Sequence, residues 1–326
     1  MKKLRFSVER ELQHQGICDA SGAVVLDEQH FAVANDEDNI LKIYRSDHSG
    51  RPVAGISGRD LNDYFDNNPK IKEVDIEAAT QMDGIIYWMT SHGRNKDGQL
   101  EPERRQFFAN KLSKDDGDPR FKQIGHSYTR LVEDMLRDER LQRYHLEAAE
   151  QLPPKAKGGL NIEGLAATPN NKALLIGFRN PIPDGKAILL PLTNPLELIK
   201  EKNAHAIFGN PIELDLNGLG IRSLEYWESQ NRFIIVAGAY DGSDQFALYQ
   251  WSGLENENPE RIEVTGWPSD FRPESVLFYP HRDNQFQLLS DDGSIKRNAG
   301  TPCKDIKDKD HPLKYFRSLW IRIDEI

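Results

Sequence analysis

A short motif recurs five times along the chain and constrains its fold more than any other feature. It consists of an apolar strand start, a polar turn, a second apolar segment, a polar loop and a third apolar segment. The starts are ASGAVVL (20–26), IEAATQM (76–82), IEGLAAT (162–168), LEYWESQ (224–230) and PESVLFY (273–279). Each leads through a turn into a β-rich run, HFAVAND, GIIYWMTSH, ALLIGFRN, RFIIVAGAYD and QFQLLSDD, and then into a third strand such as ILKIYR or FALYQW. Runs of this kind between turn residues predict strands. Their recurrence at separations of 56, 86, 62 and 49 residues predicts a repeat architecture with insertions.

Four of the starts are preceded by a further short strand: RPVAGIS, RFKQIG, PIELDL and RIEVT. For the first start the preceding strand is KLRFSVERE at the N-terminus, which would complete the last sheet beside LWIRI near residue 320. Four-stranded units whose last sheet joins both chain ends predict an all-β, five-bladed β-propeller, read as one domain over 1–326. The long separation has its own explanation. Residues 127–154 are rich in helix formers, carry Leu131, Met135 and Leu141 or Leu146 at helical spacing, and stop at two prolines, so a helical insertion is expected between blades two and three. RDLNDYFDNN (59–68) predicts a smaller helical turn.

Composition excludes several function classes. Lys and Arg number 42 against 52 Asp and Glu, a net charge of −10, which argues against nucleic acid. No apolar run approaches a membrane span and the start lacks a signal-like core, so the expected compartment is the cytoplasm. Cys18 and Cys303 lack metal-site spacing and are expected to be two ordinary thiols. GxSxG, P-loop, HExxH and helix-linked GxGxxG patterns are missing.

In a propeller the first strand of each blade lines the axis, so equivalent positions form a ring. The second position of the five starts gives Ser21, Glu77, Glu163, Glu225 and Glu274. Converging carboxylates need a counter-charge. Ca²⁺ meets that need, since it accepts six to eight oxygens in loose geometry; pairing with Arg222 or Arg272, or bound water, would also meet it. The loops expected around the channel mouth add Asp38, Arg94, Asn95, Arg179, Arg222 and Arg272 as candidates for holding a small anionic ligand, and His92 and Asp36 for moving a proton. Two functions follow as expectations. One is a non-catalytic propeller that binds a small ligand or protein segment at its mouth above an axial metal; the alternative is a calcium-dependent hydrolase of a phosphoester or nucleotide-like anion.

DIEAAT with IIYWMTSHGRNKDG and RRQFFA, NIEGLAATP with LLIGFRNPIPDGKAILLPL, and GLGIRSLEYW together resemble a bacterial, notably cyanobacterial, family known only as a domain of unknown function, DUF3616. That resemblance covers about residues 16–323 and implies no activity. More distantly, the serine-then-glutamate pattern, with SGAVVLDEQHFAVANDEDNILKIY in the first blade, is similar to the calcium-activated nucleotidases (apyrases). That likeness implies a five-bladed fold with an axial calcium near Ser21, Glu77, Glu163, Glu225 and Glu274. The apyrase ring carries serine in the fourth blade, where this chain has Glu225.

Overall fold

The computed structural model describes residues 4–35, 38–53, 59–115 and 118–325. Strand β1 (Leu4–Gln15) opens the chain. Blade one is β2 (Ala23–Val25), β3 (His30–Val33), β4 (Ile40–Arg45) and β5 (Arg59–Asp60); blade two is β6 (Ile76–Met82), β7 (Ile85–Thr90), β8 (Phe107–Asp115) and β9 (Asp118–Tyr128). Blade three is β10 (Asn161–Ala167), β11 (Leu174–Asn180), β12 (Ala187–Leu192) and β13 (Ile212–Leu214). Blade four is β14 (Gly220–Trp227), β15 (Arg232–Gly238), β16 (Phe246–Trp251) and β17 (Glu260–Ile262). Next come β18 (Val264–Thr265) and the strands of blade five, β19 (Pro273–Leu277), β20 (Gln285–Ser290) and β21 (Tyr315–Glu325). Blades one to four are four-stranded and antiparallel in chain order, so the expected five-bladed propeller is the observed fold.

Blade five closes the circle as expected. Its order is β18-β1-β21-β20-β19, with β1 antiparallel to β21 from Leu4 opposite Glu325 to Gln15 opposite Tyr315. The short β18 adds in parallel beyond β1.

Apolar residues on both faces of each sheet drive the radial stacking. Five buried clusters lie one between each pair of neighbouring blades; Trp88 and Phe108 fill the seam of blades one and two, and Phe233 and Trp251 that of blades three and four. Each fully buried large side chain contributes roughly 2–3 kcal/mol.

The insertion after blade two is shorter in its helical part than expected, because β9 runs to Tyr128. It comprises α1 (Leu131–Arg137), a 3-10 segment (Glu139–Tyr144) started by the Asp138 side chain on the Arg140 amide, and α2 (Leu146–Ala149). Leu131, Met135, Leu141 and Leu146 are all buried against blades two and three, which explains their spacing. A 3-10 turn at Asn62–Tyr64 occupies the place of the smaller helical element. One short helix, α3 (Pro195–Lys200), was not foreseen. No helix among the described residues is long and apolar enough to cross a membrane.

The cysteine expectation is corrected. Cys18 and Cys303 form a disulfide across 285 residues. Cys18 precedes the first inner strand and Cys303 lies between β20 and β21, so the bond fastens blade one to blade five at the same seam that β1 and β21 close.

Candidate functional site

The axial site is built by an irregularity shared by four of the five inner strands. In β6, β10, β14 and β19 the pairing register shifts around one extra residue: Glu77 between Ile76 and Ala78, Glu163 between Ile162 and Gly164, Arg222 between Ile221 and Ser223, and Glu274 between Pro273 and Ser275. A bulged residue escapes the alternation of its strand and re-aims its side chain. In blade one Ser21 stands at the equivalent place, its N–H donating to Ala34 O while the Ala34 N–H returns to Gly22 O. A Cβ on Gly22 would fall 2.8 Å from the backbone of Ala78, so only glycine permits this approach of the inner strands of blades one and two.

The ring is therefore Ser21, Glu77, Glu163, Arg222 and Glu274, and the assignment of Glu225 to it is corrected. Among the described residues the carboxylates that converge are Glu77, Glu163 and Glu274, with one oxygen of each within 4.8 Å of the others. Glu225 lies three residues beyond the bulge. There it accepts from the Thr80 hydroxyl at 3.1 Å and the Tyr226 N–H at 3.1 Å. LEYWES imitates the repeat, but IRSL (221–224) is the true counterpart of IEGL (162–165).

Arg222 is a built-in member of this ring. Its Nε and Nη2 donate to the two oxygens of Glu274, both at 2.7 Å, and its Nε stands 3.6 Å from Glu163 Oε2. Its guanidinium lies over the Phe246 ring. Opposite its stem is Gly238, where a Cβ would come within 2.4 Å of Arg222 Cδ. Arg179 of β11 donates from Nη1 to Glu163 Oε1 at 2.7 Å and from Nε to Ala239 O. Ser21 donates to Glu77 at 3.0 Å, and Asn161 to Glu163 Oε1 at 2.8 Å.

Glu163 and Glu274 are buried and Glu77 is half-buried. Burial works to raise Glu163, but the charges of Arg179 and Arg222 outweigh it, with a contribution from the exposed Lys155, and its carboxyl is held below the ordinary range. Glu274 is pushed up to about 7 by burial against the pull of Arg222, with Glu163 adding to the rise. Ionised, the three carboxylates and two guanidinium groups leave a net charge of −1. Among the described residues, two buried acceptors at the ring receive no hydrogen bond, Glu163 Oε2 and Asn161 Oδ1. Unanswered buried acceptors are costly.

The remaining sequence candidates lie elsewhere. His92, expected at the channel mouth, is completely enclosed. Its Nδ1 pairs with Thr90 O at 2.8 Å, and burial, with the Arg105 charge, lowers it to about 4. Arg94 is committed to the insertion, donating to Glu150 O, Gly98 O and the Gln151 amide. Asn95 organises its own loop through Asp97, Gln99 and Glu101. Asp38 binds Asn35, Lys42 and the Ile40 N–H. Arg272 pairs with Asp244 and donates to Ser294. Asp36 lies outside the described residues. Of the arginines expected to hold an anion, Arg179 and Arg222 reach the ring and both are already spent on carboxylates.

Two cavities among the described residues lie away from the axis. One of about 680 Å³ lies along the insertion, lined by Met135, Leu141, His145 and Leu146 among others; one of about 190 Å³ is lined by His14, Tyr44, Arg45 and His48.

The model of a family described as "Protein of unknown function (DUF3616)" matches residues 118–267, from β9 to β18, within the span over which the sequence resembles that family. No match to a curated protein was found. Among solved structures the chain is similar to the PQQ-bound form of an aldose sugar dehydrogenase from Streptomyces coelicolor, at 10% identity and a TM-score of 0.48, covering 99% of each chain. It is also similar to Kuenenia stuttgartiensis hydrazine synthase (10%, TM-score 0.39, 85% of this chain and 56% of that one) and to a chain of the mitotic checkpoint complex (10%, TM-score 0.43, 99% and 93%). Similarity to calcium-activated nucleotidases is not among these matches. None of these likenesses carries a function over to this chain.

Proposed function

We propose that this protein is a binding propeller whose axial ring seats a divalent cation, calcium by size and donor type. One observation carries the reading: oxygens of Glu77, Glu163 and Glu274 lie within 4.8 Å of one another while the buried Glu163 Oε2 has no hydrogen-bond donor. Some point lies no more than about 2.8 Å from all three oxygens so placed, within a small adjustment of the ~2.3–2.6 Å of calcium–oxygen contacts. The donors are hard oxygens, and the Ser21 hydroxyl adds a fourth beside Glu77. Glu77, Glu163, Glu274 and Ser21 would hold the ion, with water completing its shell. With a net charge of only −1 the ring should bind weakly, in the ~10⁻⁴–10⁻³ M class of low-charge calcium sites.

No catalytic step is assigned. The proton carrier expected at the mouth, His92, is enclosed in the core, and the arginines near the axis already serve carboxylates, which favours binding over hydrolysis. The compartment expected from the sequence is the cytoplasm. The buried Cys18–Cys303 bond favours an oxidising one instead, and alkylation of the freshly isolated protein followed by mass spectrometry decides between them.

Calorimetric titration of chelator-treated protein with calcium at pH 8 tests the proposal. One calcium per chain is expected, with binding at least tenfold weaker in Glu77→Gln, where the milder surroundings of Glu77 spare the fold. Absence of binding up to 10 mM calcium, with a melting temperature indifferent to it, overturns the reading.

A further inference from the structure

We infer that Arg222 sets the strength of the axial cation site, acting as an internal cation in the place where the repeat would otherwise put a fourth carboxylate. The inference rests on the cation reading above and names what regulates that site. Three observations support it. Arg222 occupies the same bulge position in blade four that Glu77, Glu163 and Glu274 occupy in theirs. Space for it is reserved, since Gly238 cedes the volume beside its Cδ and Phe246 lies under its guanidinium. It also takes both oxygens of Glu274 while standing 3.6 Å from the unanswered Glu163 Oε2, so its charge faces the point where an ion would sit.

A divalent ion entering the ring must share Glu274 with this guanidinium and is repelled by it at short range in a region shielded from water, where charges act more strongly than in bulk. Arg222 thus keeps the ring folded without metal and holds its affinity down. Exchanging the guanidinium for a neutral group raises the ring charge from −1 to −2 and exposes both oxygens of Glu274 to the ion. Arg179 cannot substitute, because its Nη1 is held by Glu163 and its Nε by Ala239 O.

The experiment compares wild type, Arg222→Gln, Arg222→Lys and the double variant R222Q/E274Q at pH 8, reading calcium affinity by calorimetry and melting temperature in chelator and in 10 mM calcium. Arg222→Gln is expected to bind calcium at least tenfold more tightly than wild type, to melt lower in chelator and to recover more on adding calcium. Arg222→Lys, which keeps the charge, and R222Q/E274Q, which restores the net charge to −1, are expected to bind no more tightly than wild type.

If wild type binds and Arg222→Gln binds no better, the inference falls while the cation reading stands. Binding by Arg222→Gln alone would uphold the inference and remove calcium as a ligand of the natural ring. If no variant binds, both fall. Failure of Arg222→Gln to fold even at 10 mM calcium also overturns the inference, because the ion would then be unable to take over the charge.

Discussion

Glu163 and Glu225 are the same residue on neighbouring inner strands of one propeller, yet they are opposite electrostatic objects. Glu163 is buried with Arg179 donating to it and Arg222 3.6 Å away, and it is held ionised. Glu225, three residues past the bulge of its strand, has only the Thr80 hydroxyl and the Tyr226 N–H, and burial pushes its carboxyl up to about 8. Hydrogen bonds from neutral donors do not offset the loss of water around a charge; adjacent guanidinium groups do. The difference separates a place prepared for charge from one that tolerates an acid by keeping its proton.

The contrast breaks most visibly at Glu163. Glu163→Gln leaves Arg179 without its carboxylate, and we expect a loss of about 3–5 kcal/mol, as for other broken buried pairs, measured by denaturant unfolding. Removing the disulfide with Cys18→Ser and Cys303→Ser should lower stability by roughly 2–4 kcal/mol and, because Cys18 is three residues from Ser21, should weaken calcium binding as well.

Glu225→Gln sharpens the comparison from the other side. The folded pKa of about 8 stands above the ordinary 4.5, so the folded state binds the extra proton between those values. Its stability contribution is complete below about 4.5 and lost as pH rises through 8. The variant should therefore melt a few degrees higher than wild type near pH 9, and the advantage should vanish near pH 5. His14 and His92 have the reverse sign: burial lowers them to about 3 and about 4, so stability is lost as pH falls below 6.5 toward those values, and His14→Phe should shallow that acid limb in a pH series of melts. The smallest effect is expected at Asn95→Ala, within about 1 kcal/mol and with calcium affinity unchanged.

The propeller was legible because strand runs, turns and the returning N-terminal strand recur whatever the insertions between them. Glu77, Glu163 and Glu274 were legible for the same reason. Arg222 was not, because a register shift has no composition: the chain offers LEYW and IRSL within a few residues, and only the pairing with β15 shows which one bulges. The signal that could have found it is the small residue and apolar pair after the ring position, shared by IEGL and IRSL. His92 was misplaced because a loop histidine in sequence is turned inward at positive φ and fully buried. The disulfide was hidden by 285 residues of separation, although the closure that brings the two ends into one sheet also brings Cys18 to Cys303.

That closure has a kinetic consequence. Blades two, three and four can each assemble from contiguous chain, by pairing of successive strands. The β1–β21 pairing joins residues about three hundred positions apart, so it carries the largest loop-closure entropy in the molecule and should form late. Until it does, β21 and β19 leave one edge of the circle open, and Ser21 and Glu274 stand on opposite sides of the gap. The ring of charged residues is thus completed only when the circle is.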